Sequence, residues 1–272
     1  MAAADRQRNR VEAVGATALC AVRYAGGMAL LLADVLRWTV LGIFSSKVEF
    51  RRRELAHQIR RVGIRSIGVV VLVQLFIGVI LALQMTPPLE PWGQVDKVAN
   101  IIGVAGFRML GPIITAVVLS GFAGASIAAE IGTMVVAEEI DALVAIALNP
   151  VRYLVVPRVL ATFIVTLLLT VLADLMIGAG GYLTSLLLGP ASYEGYWQRM
   201  QQQLLYRDFV TGLIQAGVFG LLISIIACYE GLNVRGGAEG VGRATTMTVV
   251  YSIVAIIAAA CLFTMIFYIF EL

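Results

Sequence analysis

The amino-acid sequence predicts an all-α membrane protein with five transmembrane helices, an N-terminal interfacial helix and a short cytoplasmic helix between two of the spans. Three observations carry that prediction. Of 272 residues, 60% are hydrophobic and only 14% charged, against about 25% charged in a soluble domain. The charges also cluster, leaving Ser66–Leu89, Met109–Ala129, Val159–Ala173, Leu175–Tyr193, Phe209–Tyr229 and Ala244–Phe270 without Asp, Glu, Lys or Arg. A bilayer core takes about 20 mostly apolar residues as a helix, and the two runs flanking Asp174 read as one helix with an acid inside it. Finally, the runs lack the two-residue alternation of barrel strands. Nor do they carry the polar stripe of a soluble surface helix, and Val249–Phe270 has no such stripe at all.

Residues 1–12 read as a mobile basic tail. Val14–Phe44 is apolar but interrupted by Arg23, Asp34 and Arg37, with Trp38 near its end. That mixture suits a helix in the membrane interface, apolar face down and charges snorkelling to water; a sixth span is the alternative. No cleavable signal peptide is evident in this polar, basic start. Residues 1–46 thus form an N-terminal unit ahead of a main domain, 47–272. Lys47, Arg51, Arg52, Arg53, Arg60, Arg61 and Arg65 precede the first clear span and place that segment in the cytoplasm.

From there the spans alternate, over about 63–86, 100–130, 152–188, 209–231 and 244–270. Pro87, Pro88 and Pro91 are expected to end the first on the outer side. Gly189–Asp208, with Tyr193, Tyr196, Trp197 and Tyr206, reads as an amphipathic piece on the outer surface. A glycine-rich turn, Gly231–Gly242, joins the last two spans. Arg152, Arg158, Arg235 and Arg243 also fall inside, whereas only Lys97, Arg199 and Arg207, with Arg108 near the outer end of its helix, fall outside. The excess of inner cations agrees with the positive-inside rule.

Absent chemistry narrows the function. The only lysines, Lys47 and Lys97, are each followed by valine, so the chain has no GxxxxGK[ST] phosphate loop. A lone histidine, His57, builds neither a zinc site nor a hydrolytic triad. Cys20, Cys228 and Cys261 lack metal-ligand spacing and read as reduced, buried small side chains. No cofactor and no nucleic-acid partner is expected. Glu130, Asp174 and Glu230 fall at or within apolar segments, where an acid needs a bundle interior, a partner charge or the interface. Asp174 lies deepest and is the group a proton-coupled carrier would use.

The most informative stretch is Gly111–Leu160. A span with small residues at Gly121, Gly124, Ala125, Ser126, Ala128 and Ala129 suits close helix packing. A short amphipathic cytoplasmic helix follows, polar at Glu138, Glu139 and Asp141 and apolar at Ile140, Leu143, Ile146 and Leu148, before Asn149–Pro150 breaks the chain. Acids disfavour contact with anionic lipid head groups, so this helix is shaped to dock into a cytosolic partner.

This segment resembles the MlaE/YrbE family of ABC permeases, through Ala128–Glu130, Gly132–Met134, Glu138, Ile140–Leu143, Pro150, Tyr153–Val155 and Pro157–Ala161. FIGVILALQ at Phe76–Gln84 and CYEGLNVRGGAEGVGRATTMTVV at Cys228–Val250 are similar to two further family motifs, so the likeness runs from about Lys47 to the C-terminus. It implies a homodimeric, multi-pass permease in the bacterial inner membrane. A cytosolic ABC ATPase subunit would dock on a coupling helix matched by Glu138, Glu139, Ile140, Asp141 and Leu143. A periplasmic MCE-domain protein would sit outside, and phospholipids or related lipids would move between inner membrane and envelope. The resemblance also implies a lipid cavity near Leu83, Gln84, Arg108 and the last span. The chain departs from many relatives at Met109, where they carry Glu, at Phe122, where they carry a cation, and at Glu139, where they carry Gln. The competing classes are a proton-coupled secondary carrier and a structural anchor for a periplasmic lipid-binding ring.

Overall fold

Backbone amides in hydrocarbon have no water to bond, so apolar runs satisfy them within helices. The computed structural model describes residues 19, 22–41, 52–188 and 193–270. The expected tail, Cys20, Lys47, Arg51 and residues 189–192 lie outside that set. Helix α1 spans Val22–Leu41 and α2 spans Arg52–Leu89. A single rod, Val98–Val136, is built of α3 (Val98–Ala105), a π-helical turn (Gly106–Leu110), α4 (Gly111–Leu119), a second π turn (Ser120–Gly124) and α5 (Ala125–Val136). Then come the short α6 (Glu139–Ala145), a π turn at Val151–Val155, α7 (Val156–Leu188), α8 (Tyr193–Gln203), α9 (Tyr206–Leu232) and α10 (Gly237–Ile269). Among the described residues there is no strand.

Among the described residues, six helical rods are long and apolar enough to cross a membrane, α1 among them. The contacts of α1 lie at one level of the bundle. Its Leu31 and Val35 are buried with Ile127 and Ile131 of α5, Val155 and Val159 near the start of α7, and Ile225 and Cys228 near the end of α9. Tyr24 donates a hydrogen bond to Glu230 (2.7 Å), and the Arg152 guanidinium stands 5.5 Å from the Trp38 ring centre.

Helices α2 and α7 run parallel in intimate contact. Gly63 lies opposite Val165, Gly78 against the Ile177 carbonyl and Gly180 against the Leu75 carbonyl. With no side chains between them at Gly78 and Gly180, the two backbones meet directly, which is how helices gain packing where no hydrophobic drive separates protein from lipid. Next to them α9 runs antiparallel to α7, with Gly220 against Thr166 and Gly217 against Phe163. The buried α7 threonines return their hydroxyl hydrogens to their own helix, Thr162 to Arg158, Thr166 to Thr162 and Thr170 to Thr166 (2.7–2.9 Å). That satisfies polar groups without a partner helix.

Several helix ends differ from expectation. The basic segment is already helical from Arg52. Pro87 and Pro88 lie inside the last turn of α2, because proline withholds an amide from the preceding turn yet keeps a helical φ. Most of the glycine-rich turn is helical, and only Gly236 (φ 92°) and Gly237 (φ 68°) take the left-handed conformation that turns the chain. Cys228 is buried as expected, but Cys261 is exposed on α10, whose outward face is largely apolar.

Candidate functional site

Two regions hold the residues singled out by sequence, one at each end of the bundle. At the end assigned to the cytoplasm, the chain leaves α5 through Glu138 and leaves α6 through Ala147, both with positive φ (56° and 60°). These two turns make α6 project. Asn149 closes the return, its Oδ1 accepting the amides of Val151 (2.9 Å) and Arg152 (3.3 Å). Glu138, Glu139 and Asp141 are exposed and Leu143 is half-buried. Ile140 packs inward against the core shared by α1, α5, α7 and α9. The apolar surface offered outward comes instead from Val144, Ile146 and Leu148.

Behind α6, Glu130 joins three helices. Its Oε2 accepts from Arg61 Nη1 of α2 and its Oε1 from Arg158 Nη2 of α7, each at 3.0 Å. Arg158 also donates to the Leu154 carbonyl (2.8 Å) and its side chain is only 6% exposed. The carboxylate is thereby compensated on both oxygens at the membrane boundary, as an acid in this position requires.

At the other end of the rod lies a cavity of about 630 Å³. It is lined by the end of α2, by α3 and its π turn, by Gln203 at the end of α8, and by α9 and α10. Ile101, Val104, Met109 and Phe267 supply apolar wall, while Lys97, Asn100, Arg108 and Gln215 supply polar atoms. Arg108 ion-pairs with Asp208 of α9 (3.4 Å), and its guanidinium lies 5.5 Å from the Phe267 ring centre. Asp208 is fixed in turn by the Leu205 amide (3.1 Å). The volume falls in the range of small-molecule sites, and an apolar wall with polar atoms from Lys97, Asn100 and Gln215 suits an amphiphile. Arg108 therefore lines the cavity, whereas Leu83 and Gln84 are exposed on α2 and are not part of its lining. Outside it, α8 seats Tyr196 and Trp197 against Tyr182, and burial pushes the Tyr196 phenol up from its ordinary value.

Residues 55–266 match the family described as Permease MlaE. The chain belongs to the MlaE permease family. It is 38% identical over 214 residues to a probable ABC transporter permease of Rickettsia prowazekii, covering 79% of this chain and 83% of that one. A probable ABC transporter permease of Synechocystis is 36% identical over 205 residues, 75% of this chain and 78% of the relative. The chloroplast protein TRIGALACTOSYLDIACYLGLYCEROL 1 of Arabidopsis thaliana is 35% identical over 224 residues, 81% of this chain and 62% of its own length. As an MlaE permease the chain is a multi-pass membrane subunit of the ABC-transporter kind, which implies a separate ATPase.

Sequence reasoning did not pair Arg108 with Asp208, nor Glu130 with Arg61 and Arg158. A signal was present for the first pair. A cation at the outer end of an apolar helix needs a counter-ion, and Asp208 opens the next helix on that side.

Proposed function

We propose that this MlaE permease works as a homodimer in the bacterial inner membrane and moves phospholipids or related lipids between that membrane and the cell envelope. A cytosolic ATPase subunit supplies the energy, and a periplasmic MCE-domain protein receives or delivers the lipid. The observation that carries the reading is the single rod of Val98–Val136. One end of it leads into the exposed acidic and apolar surface of α6, and the other lines an amphiphile-sized cavity. The lipid named in the Arabidopsis relative supports the substrate class.

In this reading Glu138, Glu139 and Asp141, with Leu143 and Ile140 holding α6 in place, form the docking surface. Closure of the ATPase presses on α6 and moves the rod, and packed helices respond by switching arrangement rather than by deforming smoothly. Arg108 then meets the lipid head group at the cavity. Leu83 and Gln84 face the lipid path from outside the single-chain cavity, where a second copy would complete it. In the same reading α1 lies in the inner interface, since its described contacts are with inner helix ends.

The test is charge reversal. Glu138→Lys and Asp141→Lys should leave the permease in the membrane while abolishing co-purification of the ATPase. An intact, lipid-stimulated ATPase complex carrying either variant would count against the docking role.

A further inference from the structure

The buried acid in α7 has no part in the reading above. Asp174 is 2% exposed and its Oδ1 has no hydrogen-bond partner. The parallel register of α2 and α7 sets Gln74 level with it. Gln74 is fully buried and spends its amide nitrogen on the Gly111 carbonyl (3.2 Å) and the Thr115 hydroxyl (3.0 Å). That leaves Gln74 Oε1 without a donor as well. Both side chains converge on Gly111, where the first π turn ends. The Asp174 carboxyl occupies the space a methyl group on Gly111 would need, and the same spot is 3.0 Å from the Gly106 carbonyl. Gly106 is the residue whose carbonyl closes the turn onto the Gly111 amide.

This pocket has acceptors to spare and too few donors. An ionised Asp174 would add a negative charge beside a carbonyl dipole in a membrane interior, where unpaired charges and unsatisfied acceptors are costly. The charged groups on the packed elements lie towards helix ends. On α2 these are Arg53, Glu54, His57, Arg60, Arg61 and Arg65; between α2 and the rod, Glu90 and Lys97; on the rod, Arg108 and Glu130; on α7, Arg158; on α8, Arg199; on α9, Arg207, Asp208 and Glu230; on α10, Glu239 and Arg243. Arg108, three residues before Gly111, is directed to Asp208 and Phe267. Arg158 is held by Glu130.

We propose that Asp174 is a proton-binding site: its carboxyl carries a proton that it donates to the acceptors gathered at Gly111, and so seats the π turn that holds Arg108 in the cavity wall. A single proton supplies the missing donor and removes the charge. Loss of the proton would set a carboxylate against the Gly106 carbonyl and disturb the turn. The cavity wall is thereby tied to proton occupancy, whatever the permease carries.

Infrared spectroscopy of the permease in lipid nanodiscs at neutral pH tests this directly. Wild-type protein should show a protonated-carboxyl stretch that shifts when aspartate is labelled with ¹³C and is lost in Asp174→Asn. Absence of that band from the wild type, or its persistence unchanged in Asp174→Asn, overturns the proposal. If Asp174→Asn does not fold, Asp174→Glu replaces it, and its band should then no longer shift when aspartate is labelled. Asp34 and Asp141 are exposed and Asp208 is bound to Arg108. A carboxylate-only spectrum from the labelled wild type is then the overturning result.

Discussion

One carboxylate, Glu130, holds Arg61 and Arg158 from two other helices. Removing its charge leaves Arg158, 6% exposed, without compensation, and breaking such a pair from one side costs on the order of 3 kcal/mol. Glu130→Gln should therefore lower the thermal midpoint of the permease in nanodiscs by several degrees, while Glu139→Gln, at an exposed position, should not move it. Equal melting of both variants would show that the triad contributes nothing. The sequence flagged Glu130, Asp174 and Glu230 as acids needing an explanation, because charge in an apolar run is visible locally. Their partners were not legible. Arg61 and Tyr24 are far from them along the chain, and only helix register brings them together.

Elements were legible where composition dictates them and obscure where backbone conformation does. Uncharged runs located the rods, and the acidic, amphipathic pattern located α6. Two π turns inside Val98–Val136 left no trace in residue type. Nor did the left-handed φ of Glu138 and Ala147, which no glycine announces. That geometry gives a contrast. Ala142→Gly, inside α6, should cost about 1 kcal/mol, whereas Ala147→Gly should be neutral or slightly stabilising, because it relieves a left-handed alanine. Parallel thermal melts check the pair, and an equal loss in both would refute the strain. At the α2–α7 crossing, Gly180→Leu would force a side chain onto the Leu75 carbonyl. It should cost at least about 1–3 kcal/mol through overpacking, read as loss of monodisperse protein after extraction. Gly26→Leu on α1, where nothing lies within 4 Å, should be tolerated.

For the whole molecule, loop charge divided the residues into two ends, and the contacts pair residues assigned to the same end. Arg61, Glu130 and Arg158 meet at one end, and Arg108, Asp208 and Phe267 at the other. The pocket at the outer end has Arg108 in its lining, while Leu83 and Gln84 are exposed on α2 outside it; no sequence pattern fixes the rotation of a helix that is apolar all round. The account joins the exposed α6 to this cavity through one rod, and its central claim is that ATP hydrolysis at the first drives lipid through the second. The most direct measurement is movement of a labelled phospholipid in liposomes holding the permease and its ATPase subunit. Transport should require ATP and disappear with Asp141→Lys. Transport by the permease alone under a pH gradient, indifferent to ATP and to Asp141→Lys, would contradict the account.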